Sequence, residues 1–205
     1  MIVKAPSTHT YGPADHGRPM SLERFLAGPW LEGYRYELID GRVYVSPQPN
    51  LPHEDAVDWL NDFLRAYMKA NPGVINKVSL RSRVFVPGRP DTTCPEPDLA
   101  AYHAYPYHLP RHERRWEDVN PVLVVAVVSD DIAKDLGRNV SLYEQVPSIR
   151  EYWAVLDSDA TEQFLFRVYR KRGAKWQKPI DLRLGDTYTT RLLPGFSLLV
   201  NPDAG

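Results

Sequence analysis

The run Pro121-Val122-Leu123-Val124-Val125-Ala126-Val127-Val128 constrains this chain more than any other stretch. An uninterrupted β-branched segment of this length, closed by the polar turn Ser129-Asp130-Asp131, reads as a strand buried on both faces. A strand covered on both sides needs helices or loops above and below it. The run therefore makes the surrounding region, residues 95–157, the centre of a mixed α/β domain. Two further segments join the sheet. Leu99 to Tyr102 follows the acidic turn Pro95-Glu96-Pro97-Asp98, and Glu151-Tyr152-Trp153-Ala154-Val155-Leu156 lies beyond a helix-like stretch over residues 135–146.

The other elements are arranged around that centre. Ser21 caps a short helix, and Tyr34 to Val45 carries an Asp40-Gly41 pair between two apolar runs, a hairpin signal. In residues 52–69, Ala56, Val57, Leu60, Phe63, Leu64 and Tyr67 recur at helical spacing, and Asn71-Pro72-Gly73 stops the helix. Residues 74–86 alternate as one or two strands, with Arg81 and Arg83 on one face. Residues 105–120 form an irregular excursion exposing Arg111, Arg114 and Arg115. Along the helix at 135–146, Leu136, Val140 and Tyr143 are expected inside, with Arg138 and Asn139 elsewhere. A hairpin with Lys171 and Arg172 at its tip follows, and segments at 187–192 and 196–200 are expected to end the sheet. The organisation is a loose tail over residues 1–20 and one domain over 21–200.

Composition removes several classes of function. With 205 residues, 43 % hydrophobic and 25 % charged, the chain can bury a full core. A net charge of −1 gives no global footprint for a polyanion, so nucleic-acid binding needs a local patch. Cys94 is the sole cysteine, which excludes an internal disulfide and a cysteine-built zinc site. No apolar run approaches the ~20 residues of a membrane span. The expected setting is the cytoplasm.

The chemistry is carried by acids. Phosphodiester hydrolysis needs charge stabilised on attacking and leaving oxygens, and Mg²⁺ on two or three carboxylates supplies it. Glu37 and Asp98 are the candidate metal ligands by position. Lys134 and Arg138 are the candidate cations for transition-state charge. Arg81, Arg83, Lys171 and Arg172 are candidate phosphate contacts.

The ordered set Tyr36-Glu37-Leu38-Ile39-Asp40-Gly41, His53 at a helix start, Pro97-Asp98-Leu99, residues 121–129, Lys134-Asp135, Tyr143 and Glu151-Tyr152-Trp153 resembles the Uma-type family of putative restriction endonucleases, within the PD-(D/E)XK nuclease superfamily. The resemblance implies a restriction-endonuclease-like mixed β-sheet core flanked by helices and a Mg²⁺- or Mn²⁺-dependent endonuclease acting on DNA. It also implies pairing into a homodimer, as duplex cutters of that superfamily often do. By resemblance, Glu37 and Asp98 occupy family acidic positions and His53 a histidine position beside the cleft. Ala126 departs from it, since the family pattern there is Val-Glu-Val. The family lysine falls near Asn139, leaving Lys134 and Arg138 as the nearest cations. Three readings compete: an endonuclease with weakly bound metal and impaired cleavage, with Asp130 or Asp131 as candidate replacement acids; a catalytically silent fold that binds nucleic acid or protein; and a purely structural domain that shares only the topology.

Overall fold

The structure is a computed structural model and describes residues 9–128, 132–158 and 163–203. The valine run is strand β5, Leu123–Val128, and each of its residues is buried. It lies between β4, Leu99–Tyr102, which is antiparallel to it, and β6, Glu151–Ser158, which is parallel. The parallel step requires a crossover, and the helical segment before β6 supplies it. Outward from β4 lies β3, Lys77–Leu80. Outward from β6 lie β7, Gln163–Arg172, and two short partners of β7: β8, Lys175–Trp176, and β9, Ile180–Leu182.

Side chains alternate across this sheet into two cores. After the short helix α1, Leu22–Ala27, comes α2, Leu51–Ala70, which Leu123, Val125 and Val127 face through Ala56, Leu60 and Leu64. Val124, Ala126 and Val128 face the crossover segment through Leu142, Tyr143 and Val146. Burial of each such valine or leucine stabilises the fold by about 1.5–3 kcal/mol. Helix α2 begins where the Asn50 side chain accepts from the His53 N–H at 3.2 Å, with Pro52 in its first turn. Phe63 lies at the margin of its apolar face, 37 % exposed. Across from the main sheet, β1, Tyr34–Ile39, pairs with β2, Arg42–Pro47, through Asp40 and Gly41. Both turn residues have positive φ, 49° and 69°, as the mirror-image hairpin turn requires.

Several expectations are corrected. Within residues 74–86 the strand stops at Leu80, because Arg81 takes φ 51°, a left-handed conformation that breaks alternation. Arg81 and Arg83 therefore do not share a strand face. Residues 187–192 and 196–200 do not end the main sheet. Their strands β10, Thr187–Thr189, and β11, Ser197–Leu199, form a separate ribbon that places Tyr188 and Leu198 in the α2-side core. The described part of the segment expected to be loose, residues 9–20, is packed: Tyr11 is buried, pairs with Trp30, and joins Met20 and Phe25. Arg114 is half-buried and donates to the Leu109 and Tyr107 carbonyls. The crossover opens with one π-helical turn, Lys134–Arg138, before α3, Asn139–Glu144. That wider turn brings Asp135 and Asn139 inside, so Asn139 is buried rather than outward. Among the described residues no helix is long and apolar enough to cross a membrane.

Candidate active site

Strand pleating sets the first acid. Tyr36 and Leu38 point one way from β1, so Arg35 and Glu37 share the other face. Glu37 is buried. Its Oε1 accepts from the Glu96 N–H at 2.9 Å, and its Oε2 faces Lys134 Nζ at 3.3 Å and Arg138 Nη2 at 3.0 Å. The guanidinium of Arg138 also lies 4.5 Å over the Tyr44 ring, which fixes its plane.

The second acid, Asp98, stands immediately before β4. Its Oδ2 accepts from the Val127 N–H at 2.9 Å, beside Ala126, and lies 3.5 Å from His53 Nε2. Its Oδ1 accepts from Arg35 Nη1 at 2.5 Å. Burial pushes the Asp98 carboxyl upward, but the contacts with His53 and Arg35 outweigh it and hold the group below its ordinary value. Arg35 reaches on toward Glu54 at 3.7 Å, which Arg81 binds at 2.8 Å. These four residues line a cavity of about 240 Å³ that opens beside Asp98.

A third acid, Asp135, is buried in the π-helical turn and accepts from Asn139 Nδ2 at 2.9 Å. Burial is the main cause that pushes its carboxyl up to about 6; Lys134 opposes this, while Glu37 and Asp98 add to it. For Lys134, burial acts downward but Glu37 and Asp135 prevail, so its ammonium is held above the ordinary value. Buried atoms without a hydrogen-bond partner gather here as well: Arg35 Nε, His53 Nδ1, Arg138 Nε, Asn139 Oδ1 and Tyr143 Oη.

The structure thus gathers Glu37 with Lys134 and Arg138, and Asp98 with His53, in one charged cluster beside that cavity, with Ala126 buried nearby. It separates the other candidates. Arg81 is at the cavity mouth, whereas Arg83 turns away to Glu96 at 3.6 Å and lies over the Phe25 ring. Lys171 is no phosphate contact: its ammonium donates to the Tyr143 and Val146 carbonyls at 2.8 and 2.7 Å, satisfying the end of α3. Arg172 is exposed on the hairpin tip. Asp130 and Asp131 lie outside the described residues. Sequence reasoning missed Arg35, although its two-residue offset from Glu37 on a strand signalled a shared face. It also missed the Asp135–Asn139 pair, whose four-residue spacing was the available signal.

These acids do not fit a carboxylate-built metal centre as they stand. Among the described residues no group of three or more His, Cys, Asp or Glu is placed to hold a metal ion. Every oxygen of Glu37 and Asp98 already accepts from a backbone N–H or a cation of this chain, and Ala126 offers a methyl group where a ligand is expected.

Comparison with known proteins agrees with this architecture. No protein with a curated description matches the chain. Among solved structures, it is similar to the crystal structure of a putative nuclease belonging to DUF820 from Anabaena variabilis, with a TM-score of 0.64 and 15 % identity over 88 % of this chain and 95 % of that one. At that identity the likeness establishes the fold. The family model described as Uma2, putative restriction endonuclease, matches residues 22–201. That range takes in the hairpin carrying Glu37, the strand edge carrying Asp98 and the crossover carrying Lys134 and Arg138, and the chain belongs to the Uma2 family.

Proposed function

We propose that this protein acts on the phosphodiester backbone of DNA through the cleft around Glu37 and Asp98, as an endonuclease whose hydrolytic step is impaired. The observation that supports this most is the buried methyl group of Ala126 beside Asp98, on the strand where the family pattern carries a glutamate. Lys134 and Arg138 neutralise Glu37, and in this reading they are the cations that meet a phosphoryl oxygen. Arg35 and His53 hold Asp98 ionised and in place. Mg²⁺ or Mn²⁺ enters this reading only as a weakly held ion, because Glu37 and Asp98 would have to give up cations of the chain to bind it. A twofold homodimer addressing both strands completes the proposal, and sedimentation at micromolar concentration tests it: a monomer removes the dimer.

Supercoiled plasmid incubated with Mg²⁺ or Mn²⁺ tests the reading. The native chain is expected to nick slowly or not at all, and Ala126→Glu faster. Brisk metal-dependent cleavage by the native chain, lost in Asp98→Ala, would overturn the impairment and point to another acid such as Asp130 or Asp131. A second reading, a silent nuclease fold kept for binding nucleic acid or protein, is favoured by the full neutralisation of Glu37 and Asp98. It predicts that neither the native chain nor Ala126→Glu cleaves.

A further inference from the structure

The charges of the cleft are layered. Glu37 and Asp98 form its floor, with side chains 7 % and 5 % exposed, while Lys134, Arg35 and Arg138 stand above them at 15 %, 17 % and 22 %. Arg81 is further out, at 41 %. An approaching ligand therefore meets ammonium and guanidinium groups before it meets any carboxylate of the floor. Glu54, 40 % exposed and tied to Arg81, is the acid at the mouth.

The balance of charge points the same way. Among the described residues, and counting Asp135, three buried acids face three cations, and a glutamate at position 126 would tip that balance to negative. A centre built to attract a divalent cation needs that negative excess. This one lacks it. The buried Nε atoms of Arg35 and Arg138 also lack an acceptor, so neither guanidinium is fully satisfied by the carboxylates. Arg138 is already oriented by the Tyr44 ring, so it loses little further freedom on meeting an anion.

We infer that the cleft binds a phosphate of duplex DNA without any metal ion, with Arg35, Lys134 and Arg138 supplying the positive charge over Glu37 and Asp98. The inference rests on the proposed action on DNA and adds that binding needs no divalent cation. The cations meet phosphoryl oxygens directly, and the loss of a carboxylate at position 126 permits this by removing the repulsion that a metal would otherwise have to offset.

Fluorescence anisotropy of a short labelled DNA duplex, titrated with the native protein in EDTA and in Mg²⁺ at low salt, tests this. The expected result is equal affinity in the two buffers, falling steeply with salt. Arg138→Gln should weaken binding in EDTA and reduce the salt slope by about 1, whereas Lys178→Gln, on an exposed lysine outside the cleft, should leave both near native. Ala126→Glu should bind about tenfold more weakly in EDTA and recover in Mg²⁺, since it adds one negative charge to the floor. Arg138→Gln tests the same point should Ala126→Glu not fold, as judged by circular dichroism. Native binding that appears only with Mg²⁺ would overturn the metal-free site and leave the action on DNA standing. No binding in either buffer would overturn both, and native-like binding by Arg138→Gln would overturn the placement.

Discussion

Replacing Asp98 by asparagine separates a self-neutralised cleft from one awaiting a metal. In a metal-free site of clustered carboxylates, like charges repel, and removing one is neutral or stabilising. Asp98 here is buried against Arg35 at 2.5 Å, His53 at 3.5 Å and the Val127 N–H at 2.9 Å. Removing one partner of a buried ion pair costs about 3–5 kcal/mol. Asparagine keeps an acceptor for Val127, and Arg35 retains Glu54 at 3.7 Å, so the lower end, about 3 kcal/mol, is expected for Asp98→Asn. For a domain of this size that lowers Tm by about 6–12 °C. The acid limb carries a second signature. Asp98 is held below its ordinary value, so its contribution is present above the unfolded-state value and is lost as pH falls through the lower folded-state value. The gap between native and variant proteins should therefore be full near neutral pH and shrink below about pH 4. Urea unfolding in EDTA across that range measures both. Equal or greater stability of Asp98→Asn near neutral pH would refute the reasoning.

Asp135 should behave in the opposite sense. Its carboxyl is pushed up to about 6, above the unfolded value, so native stability should fall as pH rises from about 4 to 6 and then level off. Asp135→Asn should remove that slope and raise stability near pH 7 by up to about 3 kcal/mol, read from urea midpoints. Asn50→Ala should cost about 1 kcal/mol by removing the acceptor for the His53 N–H, measured by thermal unfolding. Glu151 accepts from Trp153 Nε1 at 2.9 Å, from Tyr188 Oη at 2.8 Å and from the Thr190 hydroxyl, with Arg170 at 3.4 Å. Glu151→Ala should therefore cost about 3–5 kcal/mol by stranding those donors, and a native-like urea midpoint would contradict it.

The main sheet was legible because its signals are local and strong. Seven apolar residues closed by Ser-Asp-Asp leave little choice but a buried strand, and Leu60, Leu64 and Tyr67 recur at a period that fits only a helix. The Asp40-Gly41 hairpin carried Glu37 into place for the same reason. What was hidden depends on contacts between distant segments. A left-handed Arg81 has no residue-type signal, since nothing in arginine favours positive φ, yet it ends β3 and turns its side chain to Glu54. The π-helical turn shifts the phase of the crossover, which a regular 3.6-residue reading cannot follow, and so Asn139 was placed outside. Lys171 looked like a basic tip until the fold brought the end of α3 beneath it. Glu37 and Asp98 were singled out from position and resemblance. Their neutralisation was not legible, because Arg35, His53, Lys134 and Arg138 converge from three separate elements.

Calorimetric titration of Mg²⁺ into the native protein and into Ala126→Glu, with Asp98→Asn beside them, tests the central claim most directly. The claim is that the cations of the chain occupy Glu37 and Asp98 and leave a divalent ion only a weak hold. It predicts no saturable heat for the native protein and measurable binding for Ala126→Glu, where a third carboxylate restores a negative excess. Saturable Mg²⁺ binding by the native chain, abolished in Asp98→Asn, would contradict it.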